Sequence, residues 1–247
     1  MGPLGCDGDQ VDLWALDLTA GADDVRRLTG LLDAAERERA ARLAGALRRR
    51  FVVAHGLTRS VLGGYLDRAP HLVVLRRGRH GKPRLDGLEH NVSHHGDVAL
   101  LAVTAYRPVG VDVADGPRPR SPEAFARRFF APDEVDALLV PDPADRRRRF
   151  LRMWTRKEAC VKADGARLRH GLRLRVDHTG TAAPTSGTVV PGGPAGLPGP
   201  WWVTDLHPPL PGTAAVAVRG DEPCRVAWRE TVRVPRSSDW GSLGQSG

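Results

Sequence analysis

Trp154, Glu158 and Lys162 recur at intervals of four in the segment Trp154-Thr155-Arg156-Lys157-Glu158-Ala159-Cys160-Val161-Lys162-Ala163-Asp164-Gly165. On a helix this spacing sets all three along one face, with Glu158 and Lys162 about 6 Å apart along the axis. Such a pair is either a solvated surface ion pair or part of a charged site. The large ring of Trp154 in the same stripe argues that the stripe points inward. Asp112 lies two residues after Gly110 in Val109-Gly110-Val111-Asp112-Val113-Ala114-Asp115. A carboxylate in so apolar a strand needs a partner or a metal if buried, or bonds its own turn if it stands at the strand end.

A third group is Asn91-Val92-Ser93-His94-His95. A serine hydroxyl, imidazole donors and turn N–H groups suit a phosphate, although a plain polar turn has the same composition. A Ser/His nucleophilic pair is disfavoured, because neighbours on a strand point to opposite faces. Two basic segments remain, Arg79-His80-Gly81-Lys82-Pro83-Arg84 and Arg48-Arg49-Arg50-Phe51 with His55 and Arg59 beyond it. Each is either a solvated charge run or a set of anion contacts, and Gly81 permits close backbone approach.

The elements that position these groups can be read from period and punctuation. Residues 11–18 alternate as a strand, and residues 31–50 and 51–66 read as two helices. A short strand is expected over 71–75, then a basic loop over 77–84. Strands follow over 98–103 and 109–113, with a linker over 117–122. Residues 124–139 are helical with a break at Pro132, which opens a new turn as an N1 proline. Residues 149–165 form the strongest helix, with Gly165 at the C′ position. The Gly/Pro-rich stretch 182–200 reads as loop with a short strand at 189–190. Residues 201–206 and 214–218 read as a hairpin around Pro208-Pro209. A final strand is expected over 225–234, and residues 1–10 and 235 onward as mobile ends. Both halves share a rough order of strand, helix and paired strands, which fits a duplicated α+β protein.

The chain has 247 residues and a net charge of +8, which favours an acidic partner, discounted for a general bias toward Arg over Lys. Aromatic platforms interleaved with basic residues are lacking, which speaks against nucleic acid. Cys6, Cys160 and Cys224 show no CxxC or metal-ligand spacing and read as unpaired thiols of a reducing cytoplasm. The longest apolar run, 98–103, is too short to cross a bilayer, and no basic segment followed by an apolar stretch opens the chain. A soluble, cytoplasmic protein is expected.

Taken in order, Arg50-Phe51, Gly81-Lys82-Pro83, Asn91-Val92-Ser93-His94, Gly110-Val111-Asp112-Val113, Arg128-Phe129-Phe130 with Glu134, and residues 154–165 resemble the Sfp-type 4′-phosphopantetheinyl transferases over roughly residues 10 to 220. The resemblance implies an α+β fold of two similar halves, 11–108 and 109–220, related by a pseudo-twofold. A flexible stretch 1–10 would precede them, and a strand and tail over 221–247 would follow. It implies coenzyme A in the cleft between the halves, and Mg²⁺ (with Mn²⁺ as a substitute) held by Asp112 and Glu158. The implied activity moves 4′-phosphopantetheine from coenzyme A to a serine of an acyl or peptidyl carrier protein, of the kind used in polyketide and nonribosomal peptide assembly. Glu158 is then the base, directly or through a water, and Lys162 offsets charge on the diphosphate. Ser93 and His94 resemble phosphate contacts, Lys82 and Pro83 the adenosine side, and Arg50 and His55 groups within reach of the 3′-phosphate. Lys157 and Glu134 resemble supporting groups, Lys157 on the coenzyme side, and His95 receives no role. Many members carry a Glu where Ala114 stands here, so a water, or Asp115 brought in by a bulge, would have to complete the metal site. The implied partners are acidic carrier domains met by a monomer. A coenzyme A-binding member without catalysis, and a basic nucleic-acid-binding protein, are the competing readings.

Overall fold

The computed structural model describes residues 9–78, 81–116, 121–177, 187–193, 197–208 and 212–234. Most of the N-terminal stretch, Arg79 and His80, most of the linker after Gly116, part of the Gly/Pro-rich segment, Pro209 and the tail from Pro235 lie outside the described residues. The architecture is α+β. In chain order it runs β1 (Gln10–Asp17), α1 (Ala22–Thr29), α2 (Ala34–Ala41), α3 (Gly45–Leu66), β2 (Arg76–Arg77), β3 (Pro83–Arg84), β4 (Glu89–His95), β5 (Val98–Thr104) and β6 (Val109–Ala114). It continues with α4 (Pro122–Phe129), α5 (Pro132–Leu138), α6 (Pro143–Ala163), α7 (Leu168–Gly171), β7 (Thr188–Val190), β8 (Trp201–Leu206), β9 (Thr213–Arg219) and β10 (Arg225–Val232).

Two four-stranded sheets carry the fold, ordered β10-β1-β5-β4 and β6-β9-β8-β7. Both are antiparallel except where β10 joins β1 in parallel. The sheets share a core of alternating small and branched residues, with Leu13, Ala15, Leu100 and Ala102 from the first and Val111, Val113, Val216 and Val218 from the second. Helix α3 backs the first sheet through Val53, Leu57 and Leu62, and α6 backs the second through Phe150, Met153 and Ala159.

Several local expectations need correction. The boundary between the first two helices is not at residues 50 and 51. Asp33 and Glu36 form a reciprocal capping box that starts α2 at Ala34, later than the expected residue 31; α2 ends at Ala41, and α3 runs unbroken through Arg50-Phe51. Residues 71–75 are not a strand: Pro70–Leu72 form a 3₁₀ turn, and extended pairing begins only at Arg76. Asn91-Val92-Ser93-His94-His95 is not a turn but the body of β4, joined to β5 by the turn at Gly96 and Asp97. Helix α6 begins at Pro143, where Asp142 accepts from the Ala144 N–H. Its end matches expectation. Gly165 adopts φ 62°, and the N–H groups of Gly165 and Ala166 bond the carbonyls of Lys162 and Val161, a Schellman closure. No helix among the described residues is long and apolar enough to cross a membrane.

Candidate active site

Strands β4 and β6 lie side by side at the seam between the sheets, and side chains rather than a backbone ladder join them. Asn91 and Ser93, two residues apart, share the face of β4 that meets β6. The Val111 N–H donates to Asn91 Oδ1 at 2.9 Å, and the Val113 N–H donates to Ser93 Oγ at 3.4 Å. Between these anchors stands Asp112, 6% exposed. Its Oδ1 accepts from Ser93 Oγ at 2.8 Å and from Lys162 Nζ at 2.6 Å. The Lys162 ammonium also reaches Ser93 Oγ at 2.9 Å and the Val111 carbonyl at 3.3 Å.

Glu158 stands one turn before Lys162 on α6. Both line a cavity of about 360 Å³ together with Ser93, His94, Asp112 and Trp154. The three-residue stripe thus faces this cavity, and Trp154 forms one wall, stacked on Phe150 at 5.8 Å. Burial raises the proton affinity of Glu158, the neighbouring Asp112 charge raises it further, and Lys162 partly opposes both. Ala114 also lines the cavity. Strand β6 stays in register with β9 through Ala114, so no bulge turns Asp115 inward, and Asp115 is exposed. Among the described residues no group of three or more His, Cys, Asp and Glu has the arrangement to hold a metal. Asp112 and Glu158 are a pair.

A larger cavity of about 590 Å³ adjoins the first, and Val92, His94 and His95 line both. Its walls include Arg39, Arg50, Phe51, His55 and Pro83. Arg50 and Arg49 both donate to Asp97 Oδ1, at 2.8 and 2.7 Å, which lowers the Asp97 proton affinity. His55 lies on the Phe51 ring with centroids 4.0 Å apart, and its Nδ1 is 2.8 Å from Glu36. Burial would raise Glu36, but bonds from His55 and the Asp33 N–H, with the Arg59 charge, hold it at about 2.

Two expected ligand groups are elsewhere. Lys157 is not brought to either cavity. It lies on another face of α6, 1% exposed, bonding Glu134 at 2.5 Å and the Leu174 carbonyl, with its ammonium 4.5 Å from the centre of the Phe130 ring. Glu134 in turn accepts from the Val176 N–H at 2.8 Å, so the pair ties α5 and α6 to the segment after α7. Lys82 donates to the carbonyls of Val109 at 3.2 Å and Ala163 at 2.7 Å, pinning the basic loop to the end of α6. It lines a third cavity of about 180 Å³ with Arg84 and Asp164, and burial lowers its proton affinity.

Some participants had no role in the sequence reading. Asn91 sets the β4–β6 seam, and Asp97 collects the two arginines. The Asp33/Glu36 cap was also missed, although Asp-x-x-Glu before a helix is a local signal that could have found it; its second use, holding His55 and Arg59, has no local pattern. Neither Cys160 nor Cys224 lines the two adjoining cavities. Burial pushes both thiols up, Cys224 to about 12.

A family model described as the 4′-phosphopantetheinyl transferase superfamily matches residues 108–196, which contain Asp112, Glu158 and Lys162. The 4′-phosphopantetheinyl transferase HetI of Nostoc sp. is 34% identical over 220 residues, covering 86% of this chain and 89% of its own. A phosphopantetheinyl transferase of Thraustochytrium sp. is 32% identical over 183 residues, 66% of this chain and 64% of its own. The 4′-phosphopantetheinyl transferase Sfp of Bacillus subtilis is 30% identical over 124 residues, 49% of this chain and 52% of its own. With a relative this similar over most of both lengths, the chain belongs to the 4′-phosphopantetheinyl transferase superfamily.

Proposed function

We propose that this enzyme transfers the 4′-phosphopantetheine group of coenzyme A to a serine of an acyl or peptidyl carrier protein, converting apo to holo carrier and releasing 3′,5′-ADP. The observation that carries the reading is the meeting of Asp112, Glu158, Lys162 and Ser93 around one cavity that opens beside a larger one walled by Arg39 and Arg50. Residues 11–108 and 109–220 act as two halves related by a pseudo-twofold, each built on its own sheet, with coenzyme A in the cleft between them. Residues 1–10 precede them. Of the stretch 221–247, β10 returns to the first half and pairs with β1.

The donor set fits a hard divalent cation. Two carboxylates share one partly buried cavity, and the Asp112 charge raises the cost of charging Glu158, which a dication relieves. Mg²⁺ is commonly held by one or two carboxylates and completed by waters and substrate phosphates. Asp112 and Glu158 would hold it, or Mn²⁺ in its place, and the ion would neutralise diphosphate charge. With Ala114 at the neighbouring inward position, this strand offers no third carboxylate, and water would supply what the two acids and the substrate do not.

The chain's own groups then divide the work. Ser93 and His94 orient the phosphate from β4, and Arg50, His55 and Pro83 hold the nucleotide end. Lys82 shapes that end by fixing its loop. Glu158 receives the proton of the carrier serine as its oxygen bonds to the phosphorus nearer the pantetheine. The bond from that phosphorus to the bridging oxygen breaks, and 3′,5′-ADP departs with the electron pair. Catalysis is then mainly positioning and charge neutralisation. The net charge of +8 suits a monomer that meets acidic carriers in a cytoplasmic setting.

Incubation with coenzyme A, Mg²⁺ and an apo carrier protein tests the reading. A carrier mass gain of one phosphopantetheine is expected. Ala114 favours one second reading, a member that binds coenzyme A without catalysis. That reading takes over if coenzyme A binds while several carriers stay apo.

A further inference from the structure

Lys162 stands where a cation would go. Its ammonium sits 2.6 Å from Asp112 Oδ1, 2.9 Å from Ser93 Oγ and 3.3 Å from the Val111 carbonyl. The Ser93 hydroxyl also donates to the same Asp112 oxygen at 2.8 Å. Without an anionic ligand, the lysine is thus committed to the carboxylate that a divalent ion would need. A dication arriving at Asp112 meets a positive charge already bonded there, and like charges this close repel strongly in a cavity of reduced dielectric. The lysine stem is flexible, and its side chain keeps 27% of its surface exposed, so the head can move without unpacking α6.

We propose that Lys162 is a built-in competitor for the divalent cation, occupying Asp112 in the free enzyme and surrendering it when a diphosphate offers the ammonium another anion. The inference rests on the cation reading of Asp112 and Glu158 given above. Its consequence is ordered loading. Cation alone binds weakly because it must displace Lys162. Coenzyme A lowers that barrier by accepting Lys162 on its phosphates, so each ligand strengthens the other by the same factor. The short two-carboxylate set, with Ala114 in place of a third acid, makes this competition matter more, since one lysine offsets half of the negative charge available.

The test is Mn²⁺ binding to the full chain without coenzyme A, read from the free-ion paramagnetic resonance signal. The Lys162→Met variant should bind Mn²⁺ about tenfold or more tightly than wild type. Lys162→Arg, which keeps the charge, should stay within about threefold of wild type. Adding coenzyme A should tighten Mn²⁺ binding by a larger factor in wild type than in Lys162→Met. If Lys162→Met does not fold, as judged by circular dichroism, Lys162→Gln takes its place. Equal or weaker Mn²⁺ binding in the uncharged variant overturns the competition. Asp112→Asn separates the two levels. If it loses Mn²⁺ while the uncharged Lys162 variant shows no gain, only the competition fails. If it binds Mn²⁺ as wild type does, the cation reading fails first.

Discussion

Gly110 of β6 and Ala159 of α6 are in direct backbone contact: a Cβ at Gly110 would stand 2.1 Å from the Ala159 carbonyl oxygen and 2.4 Å from the Ala163 nitrogen. That approach sets the spacing between Asp112, two residues along β6, and Glu158, the residue before Ala159. Glycine is required here for space and not for backbone freedom, since its φ is ordinary. Gly110→Ala should therefore force α6 off the sheet. A destabilisation of about 3 kcal/mol is expected, at the upper end for overpacking because backbone cannot rotate aside. In a chain of this size that lowers Tm by roughly 6–12 °C. Thermal denaturation checks it, and a Tm within a degree or two of wild type would show that the contact yields easily.

Asp112→Asn and Glu158→Gln probe the chemistry with little change of shape. Asparagine at 112 can still accept from Ser93 and Lys162, so the fold should survive, with Tm within a few degrees of wild type. Transfer should fall by at least about a hundredfold in kcat, the scale of losing a group that stabilises developing charge. The measurement is carrier mass gain under saturating coenzyme A and Mg²⁺. Near-normal rates in either variant would remove that residue from the reaction.

Part of the candidate site's geometry is legible in the chain itself. The period-four stripe of Trp154, Glu158 and Lys162 determines a common face, because a helix leaves those side chains no other relation. The Gly165 stop was legible for a similar reason, since its motif is local. The β4–β6 seam was not. It depends on Asn91 and Ser93 meeting backbone N–H groups about 20 residues away, and no local pattern encodes that partner. The role of Lys157 failed to show for another reason: it neighbours Glu158 in sequence, yet one residue is a rotation of about 100° on a helix. That turns Lys157 toward α5 and the core, while Glu158 faces the cavity. The strand expected over 71–75 was misread because apolar content alone does not form a ladder, and Pro70 starts a tight turn.

Lys157 offers a contrast with the cavity residues. Its ammonium is buried between Glu134, the Leu174 carbonyl and the Phe130 ring. Lys157→Met would leave Glu134 buried with two N–H donors but no counter-charge. A loss of about 3–5 kcal/mol in stability is expected. The folded fraction at low temperature should bind coenzyme A within about threefold of wild type, because Lys157 lines neither cavity. Titration of coenzyme A by calorimetry checks this. A large drop in affinity with little loss of stability would return Lys157 to the coenzyme site.

Two buried groups should give stability a stepped dependence on pH. Burial holds the His90 imidazole at about 4, well below its ordinary 6.5, with the Lys82 charge adding to the effect. The unfolded chain therefore takes up a proton near pH 6.5 that the native state refuses until about pH 4. Stability contributed by His90 is complete above pH 6.5 and is lost as pH falls toward 4, by about 3 kcal/mol in all. Glu36 acts lower. Held at about 2 against an ordinary 4.5, it contributes stability above pH 4.5 that disappears as pH falls toward 2. Urea denaturation at intervals from pH 7 to pH 3 should resolve both. His90→Phe should flatten the curve between pH 6.5 and 4 and leave the lower limb unchanged. Glu36→Gln should lower stability at neutral pH and flatten the curve below pH 4.5. A wild-type curve already level from pH 7 to pH 4 would mean that His90 titrates as an open histidine, and that the interior wall of the larger cavity admits water.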